Sequence, residues 1–259
     1  NYNDSKGDWS WYAGFNLSHV KNEILYMGGL KERISGQTIN RVGEPIGAYY
    51  AYQAIGIYRT EADLNRTNSK GEQVLQHGAK PKLGDIMYAD LNDDANITPA
   101  DRTIIGNPFP KYTYGINLGA SWKGFDLSTF WQGVAGIYRY NWETTTDIRG
   151  NFTDRWLDRW SPENPNASMP SLGNTINDQF SSFWLENSSY LRLKNLEFGY
   201  TFGQISKIGV SKLRVYFAGT NLLTFTKLNN WDPEKGANDT NNYNYPNAKS
   251  FSFGVNVTF

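Results

Sequence analysis

The chain has 259 residues, no cysteine, and 25 Lys plus Arg against 25 Asp plus Glu, a formal net charge of zero. With no basic excess and no basic face, nucleic-acid binding is set aside. The lack of thiols removes disulfides and thiolate metal sites but leaves the compartment open.

Aromatic content is the unusual quantity: 9 Trp, 17 Tyr and 14 Phe, beside abundant Asn and Gly. That mixture suits many strands joined by turns. No apolar run reaches the ~18 residues of a membrane helix. A lipid-spanning strand is apolar only at alternate positions, so a mean hydropathy of −0.59 fits a membrane barrel as well as a soluble β-protein.

In chain order, residues 1–8 (NYNDSKGD) read as a turn, with nothing resembling a signal peptide. A signal and further chain are therefore expected upstream, and the sequence reads as one piece of a larger architecture. Trp9, Trp11, Ala13, Phe15 and Leu17 then alternate with polar residues. From Tyr112 the even positions Tyr112, Tyr114, Ile116, Leu118, Ala120 and Trp122 form one face, and Gly115, Asn117, Gly119 and Ser121 lie on the other. Lys123-Gly124 is a two-residue turn, and Phe125, Leu127, Thr129 and Trp131 continue on the return strand. Leu196 to Phe202 and Leu213 to Phe217 alternate in the same way. The end is the cleanest: Phe251, Phe253, Val255, Val257 and Phe259 face one side, and Ser250, Ser252, Gly254, Asn256 and Thr258 the other.

These six segments have the ~10-residue length a tilted strand needs to cross a bilayer, with aromatic ends that suit interfacial girdles. The connections at 123–124 and 203–211 are short; those at 25–111, 134–189 and 226–249 are long. Short–long alternation predicts brief periplasmic turns and long extracellular loops. Six strands fall below the ~8 of the smallest bacterial barrels, so the rest of the wall must lie elsewhere. The predicted fold class is all-β: an antiparallel transmembrane β-barrel, of which this chain supplies six C-terminal strands.

One segment carries metal-type spacing. In residues 90–101 (DLNDDANITPAD), Asp90, Asn92, Asp94 and Asp101 stand at positions 1, 3, 5 and 12 of an EF-hand-type loop. The Asn96 main-chain carbonyl stands at position 7, and Thr98 at position 9. Ala95 replaces the usual Gly at position 6, where a left-handed backbone costs a residue with a Cβ about 1 kcal/mol. Asp101 replaces Glu and shortens the reach. The set predicts a structural calcium ion; the alternative is a solvated Asx-rich turn.

Loop aromatics Trp142, Trp156, Trp160, Trp231 and Tyr243 are candidate substrate or partner contacts, because flat rings with polar edges suit sugars and peptide side chains. Packing between loops accounts for each singly. Residues 153–160 predict a short amphipathic helix capped by Thr153. No catalytic residue is predicted, and the chain is not expected to be an enzyme. His19 and His77 sit in no metal or triad pattern, and Asp232 and Glu234 form a loop carboxylate pair of little specificity.

Several strings resemble the SusC/RagA family in order along the chain. They are Gly14 to His19 (GFNLSH), Gly43 to Gly47 (GEPIG), Gly56 to Tyr58, Gly84-Asp85, and Asp90 through Gly106. Tyr114 to Asn117 (YGIN), Lys123 to Asp126 (KGFD) and Asn221 to Leu223 follow, and a terminal Phe259 resembles the signal read by the barrel-assembly machinery. The resemblance implies a TonB-dependent transporter of the bacterial outer membrane. Its barrel would have about 22 strands and a plug domain absent from this chain. The implied partners are the rest of the barrel, the lipid bilayer, the TonB complex and a SusD-like lipoprotein over the outer mouth. The implied cargo is oligosaccharide or peptide, taken up as nutrient. A passive pore or adhesin barrel, and a secreted carbohydrate-binding β-sandwich, are the alternatives.

Overall fold

A computed structural model describes residues 1–141, 143, 152–203, 209–228, 231–234 and 245–259. The chain divides into two compact units: 1–21, 109–137 and 187–259 in the first, 22–108 and 138–186 in the second.

The first unit is a seven-stranded antiparallel sheet. Its strands are β1 (Tyr2–Lys6), β2 (Trp9–His19), β3 (Tyr112–Trp122), β4 (Phe125–Ala135), β5 (Tyr190–Phe202), β6 (Lys212–Thr226) and β7 (Ser250–Thr258). Each pairs with its neighbour in sequence. The six predicted spans are present, and one expectation is corrected. Residues 2–6 are not a turn but a strand, with Lys6 opposite Trp9 and Tyr2 opposite Ala13; only Gly7-Asp8 turns. This strand shows no apolar alternation because it is short and polar, so periodicity could not find it.

The two-residue turn at Lys123-Gly124 holds both residues at positive φ (46° and 87°), the twist that joins two right-handed strands without splaying them. A Cβ on Gly124 would also lie 2.7 Å from the Thr201 carbonyl oxygen. The register from Trp122↔Trp9 to Tyr112↔His19 is unbroken, so both faces stay in phase across β2, β3 and β4.

Bulges break that phase further on. Phe130 faces Asn195 and Trp131 faces Leu193, so Lys194 is an extra residue in β5. It shifts the alternation: Leu191 and Leu193 share a face with Leu196 and Phe198 despite their odd separation. On β6, Asn221 at φ 54° marks a second irregularity, between the pairs Leu193↔Leu223 and Asn195↔Thr220.

The outcome is one apolar and one polar face. Phe15, Leu17, Leu118, Leu127, Phe198, Val215, Phe253 and Val255 all lie exposed on the apolar side. Rings gather at its two ends. Trp9 stacks on Trp122 at 5.3 Å and Phe125 meets Tyr200 at 4.5 Å at the short-turn end. His19 meets Tyr112 at 4.8 Å and Trp131 stacks on Phe225 at 6.4 Å at the other. An exposed apolar band bordered by aromatic rings is the lipid-facing pattern of a membrane barrel wall. At ~3.3 Å per residue, the eleven residues of β3 reach about 36 Å, enough to cross an apolar band of ~25 Å at a tilt.

The second unit is folded, not a pair of bare loops. It holds a four-stranded sheet in the order Arg102–Gly106, Ala48–Tyr52, Thr38–Arg41, Glu32–Ser35. Its core includes Tyr52, Ile86, Tyr88, Ile97, Trp156 and Trp184. Two buried polar side chains are matched inside it: Trp184 Nε1 donates to the Asn177 carbonyl at 3.0 Å, and Asn177 Oδ1 accepts the Ile86 N–H at 2.7 Å. Burial raises the Asp85 carboxyl pKa, while the Lys82 N–H and the Asn174 amide oppose the rise.

The expected helix at 153–160 is a 3-10 turn, Asp154–Asp158, and Thr153 does not cap it. Its hydroxyl donates instead to Glu143, at 3.0 and 3.2 Å to the two carboxylate oxygens. The same carboxylate accepts the indole N–H of Trp156, so Glu143 ties both groups together.

Candidate functional site

The polar face of the strand wall carries the groups that could meet a solute. Directly opposite residues share a face, so Ser10, Ser121, Asp126, Glu197 and Arg214 lie together on it. Ser10 and Ser121 hydroxyls are 2.7 Å apart. Arg214 forks onto Asp126, with Nε 3.0 Å from Oδ2, and its Nη2 reaches Glu197 Oε1 at 2.7 Å. The guanidinium carbon also sits 5.0 Å from the Tyr216 ring centre. Two acids around one base leave this cluster one negative charge in excess.

A second charged cluster stands near the other end of the same face. Arg192 lies opposite Gln132 on β4 and Thr224 on β6, two pairs inside Tyr190↔Thr226. Its Nε donates to Thr224 Oγ1 at 2.8 Å and its Nη2 to Asp232 Oδ1 at 2.8 Å. Its Nη1 is 3.1 Å from Glu234 Oε1, close enough for an ion pair but not aligned as a hydrogen bond. Lys194, on the bulge, adds its ammonium to Glu234 at 3.0 Å. The Arg192 and Asp232 side chains are 5% and 3% exposed. Removing either partner would strand a buried charge, at about 3–5 kcal/mol. In the sequence Asp232 and Glu234 are only a loop carboxylate pair, separated by Pro233. Their partners lie 40 residues away, and nothing in the local pattern joins them.

The predicted calcium loop has an EF-hand-like turn. Ala95 takes φ 61° and Asp93 φ 59°, so the left-handed backbone expected at position 6 is present. Asp90 accepts the N–H groups of Asp94 and Ala95 at 3.3 and 2.8 Å. Asp94 accepts that of Asn96 at 2.9 Å. Asp101 is fully buried and accepts those of Leu91 and Thr98, at 2.9 and 2.8 Å. Asn92 donates its amide to Asp94 at 2.9 Å. The oxygen-only donor set fits a hard cation. The carboxylates are nevertheless directed at the loop's own N–H groups, and among the described residues no three acidic or histidine side chains are grouped to hold a metal.

The candidate aromatics separate. Trp156 is buried in the core of the second unit and is spent on packing. Trp160 is half-buried over Gly84, where a Cβ would lie 2.6 Å from its ring. Trp231 is half-buried beside the Asp232 cluster in sequence. Trp142 and Tyr243 lie outside the described residues. Phe259 is exposed beyond the end of β7.

Comparison with known proteins completes the picture. No protein-family model matches the sequence. TonB-dependent receptor P3 of Formosa agariphila is 32% identical over 99% of this chain and 27% of its own length. TonB-dependent receptor SusC of Bacteroides thetaiotaomicron is 25% identical over 97% of this chain and 25% of its own. The solved RagAB peptide transporter superposes with a TM-score of 0.75 at 26% identity, over 99% of this chain and 28% of that one. The chain thus spans about a quarter of the relatives it matches. Over nearly all of its own length the chain thus matches part of the SusC/RagA-type TonB-dependent receptors, and its antiparallel strand wall is part of an outer-membrane β-barrel.

Proposed function

We propose that this chain is wall and loop structure of a TonB-dependent importer of oligosaccharides or peptides. The carrying observation is the two-faced sheet: an exposed apolar face bordered by rings, and a polar face with fixed charges. The apolar face meets lipid and the polar face lines the lumen. The short turns then face the periplasm, and residues 22–108 and 138–186 stand outside the cell. The names of SusC and of the RagAB peptide transporter support the transport reading. Energy would come through the TonB complex, acting on parts of the protein outside this chain, and a SusD-like lipoprotein would close the outer mouth. Deleting the gene and restoring it on a plasmid should abolish and restore energised uptake of one labelled oligosaccharide or peptide class. Gentle detergent extraction of the whole transporter should bring down a surface lipoprotein. Uptake unaffected by deletion would remove the importer reading.

We also propose calcium as the ordering ion of residues 90–101. The twelve-residue spacing and the left-handed turn at Ala95 support it. Bound there, the ion would neutralise Asp90, Asp94 and Asp101 and hold the loop's shape; no transport step depends on it.

A further inference from the structure

Part of the connection between β6 and β7 lies back on the sheet. Residues 231–234 return over the polar face, where Asp232 and Glu234 meet Arg192 and Lys194. The far side of the connection arrives at the same point. The Asn247 N–H donates to Asp232 Oδ2 at 2.6 Å, and its amide donates to Glu234 Oε2 at 2.7 Å. The Glu234 N–H closes the arrangement on Asp232 Oδ1 at 3.0 Å. Two bases and two acids cancel, leaving no net charge. Pro233, itself buried, fixes the backbone between the two acids. A connection folded away from the sheet would leave Arg192 bare, yet Arg192 is among the most buried charged groups of the wall.

We propose that residues 231–234 form an inward-folded strap, latched by Asp232 and Glu234 onto Arg192 and Lys194, that narrows the passage at the loop end of the barrel. The proposal rests on the polar face being the lumen wall. Gln132, opposite Arg192, then lies beneath the strap. The latch behaves as a unit, because breaking one ion pair leaves the remaining charges buried and unmatched. A solute entering from the loop end would meet the strap before the Arg214–Asp126–Glu197 cluster.

The test uses the whole transporter in cells, with Gln132→Cys as the only cysteine and a membrane-impermeant maleimide added outside. Labelling should be slow with the latch intact and at least about tenfold faster in Asp232→Asn with Glu234→Gln, as expected for loss of buried pairs. Glu234→Gln alone, a milder change at a less buried group, should give a smaller rise. Heat-modifiable gel mobility reports whether each barrel is folded. Folded variants that label no faster than the parent overturn the latch. A separate Phe253→Cys chain decides the underlying reading: fast labelling there means that the apolar face does not meet lipid, whatever Gln132→Cys shows.

Discussion

The ring of Tyr216 fills the space above Gly254, its directly opposite partner on β7. A Cβ on that glycine would lie 2.3 Å from the ring's Cζ. Tyr12 over Gly119 repeats the arrangement on the same face, and Tyr114 over Gly133 repeats it on the other. In each pair a large ring needs a partner without a side chain, so strand register and side-chain size are set together. Gly254→Ala should destabilise the whole barrel by about 1–3 kcal/mol through overpacking. Combining it with Tyr216→Ala should cost less than the two separate losses added. Urea unfolding from lipid vesicles measures all three variants.

The apolar face makes a directional prediction. Phe253→Arg or Val255→Arg should cost about 2–4 kcal/mol if the site lies near the bilayer midplane. Ser252→Arg, one residue away on the polar face, should cost far less. Equal costs at Phe253 and Ser252 in the same unfolding assay would show that neither face meets lipid.

The Asp232 carboxyl gives a pH dependence. Burial alone would raise its pKa, but the Glu234 N–H, the Arg192 guanidinium and the Asn247 N–H outweigh burial and hold it below the ordinary value. A depressed folded pKa means stability that is complete above the unfolded value of about 3.9 and lost as pH falls through the folded one. The stability gap between the parent and Asp232→Asn should therefore stay constant from pH 8 to about pH 5 and shrink below about pH 4. A gap that changes between pH 8 and pH 6 would point to a different group.

Calcium should protect residues 90–101. Millimolar calcium should slow protease cleavage of this loop in the whole transporter, and a chelator should reverse the effect. Asp94→Ala should abolish the difference. A high-resolution map in calcium would show six or seven oxygens at about 2.3–2.6 Å. Only water among Asp90, Asn92, Asp94 and Asp101 would reject the ion.

The strand wall was largely legible in the sequence, because period-2 alternation survives wherever the register is unbroken, as from Trp9 through Trp131. It failed in two places for physical reasons. The first half of β5 went unrecognised because Lys194 reverses the parity of Leu191 and Leu193 against Leu196. β1 was missed because its side chains carry no alternating apolar signal. The second unit reads as loops since its strands are only two to five residues long, too short for periodicity to register. Its core depends on contacts such as Tyr88 with Ile176, 88 residues apart. The Arg192–Asp232 cluster was hidden for the same reason, since ion pairs across 40 residues leave no local pattern.

The central claim is that one face of this wall meets lipid and the other a water-filled lumen. Spin labels placed singly from Phe251 to Val257 in the whole transporter, reconstituted in bilayers, test it most directly. Collision with oxygen, which concentrates in lipid, should peak at positions 251, 253, 255 and 257. Collision with a water-soluble nickel chelate should be higher at 252, 254 and 256. That two-residue period, opposite in phase for the two reagents, is the predicted result; uniform access along β7, or chelate access highest at Phe253 and Val255, would contradict it.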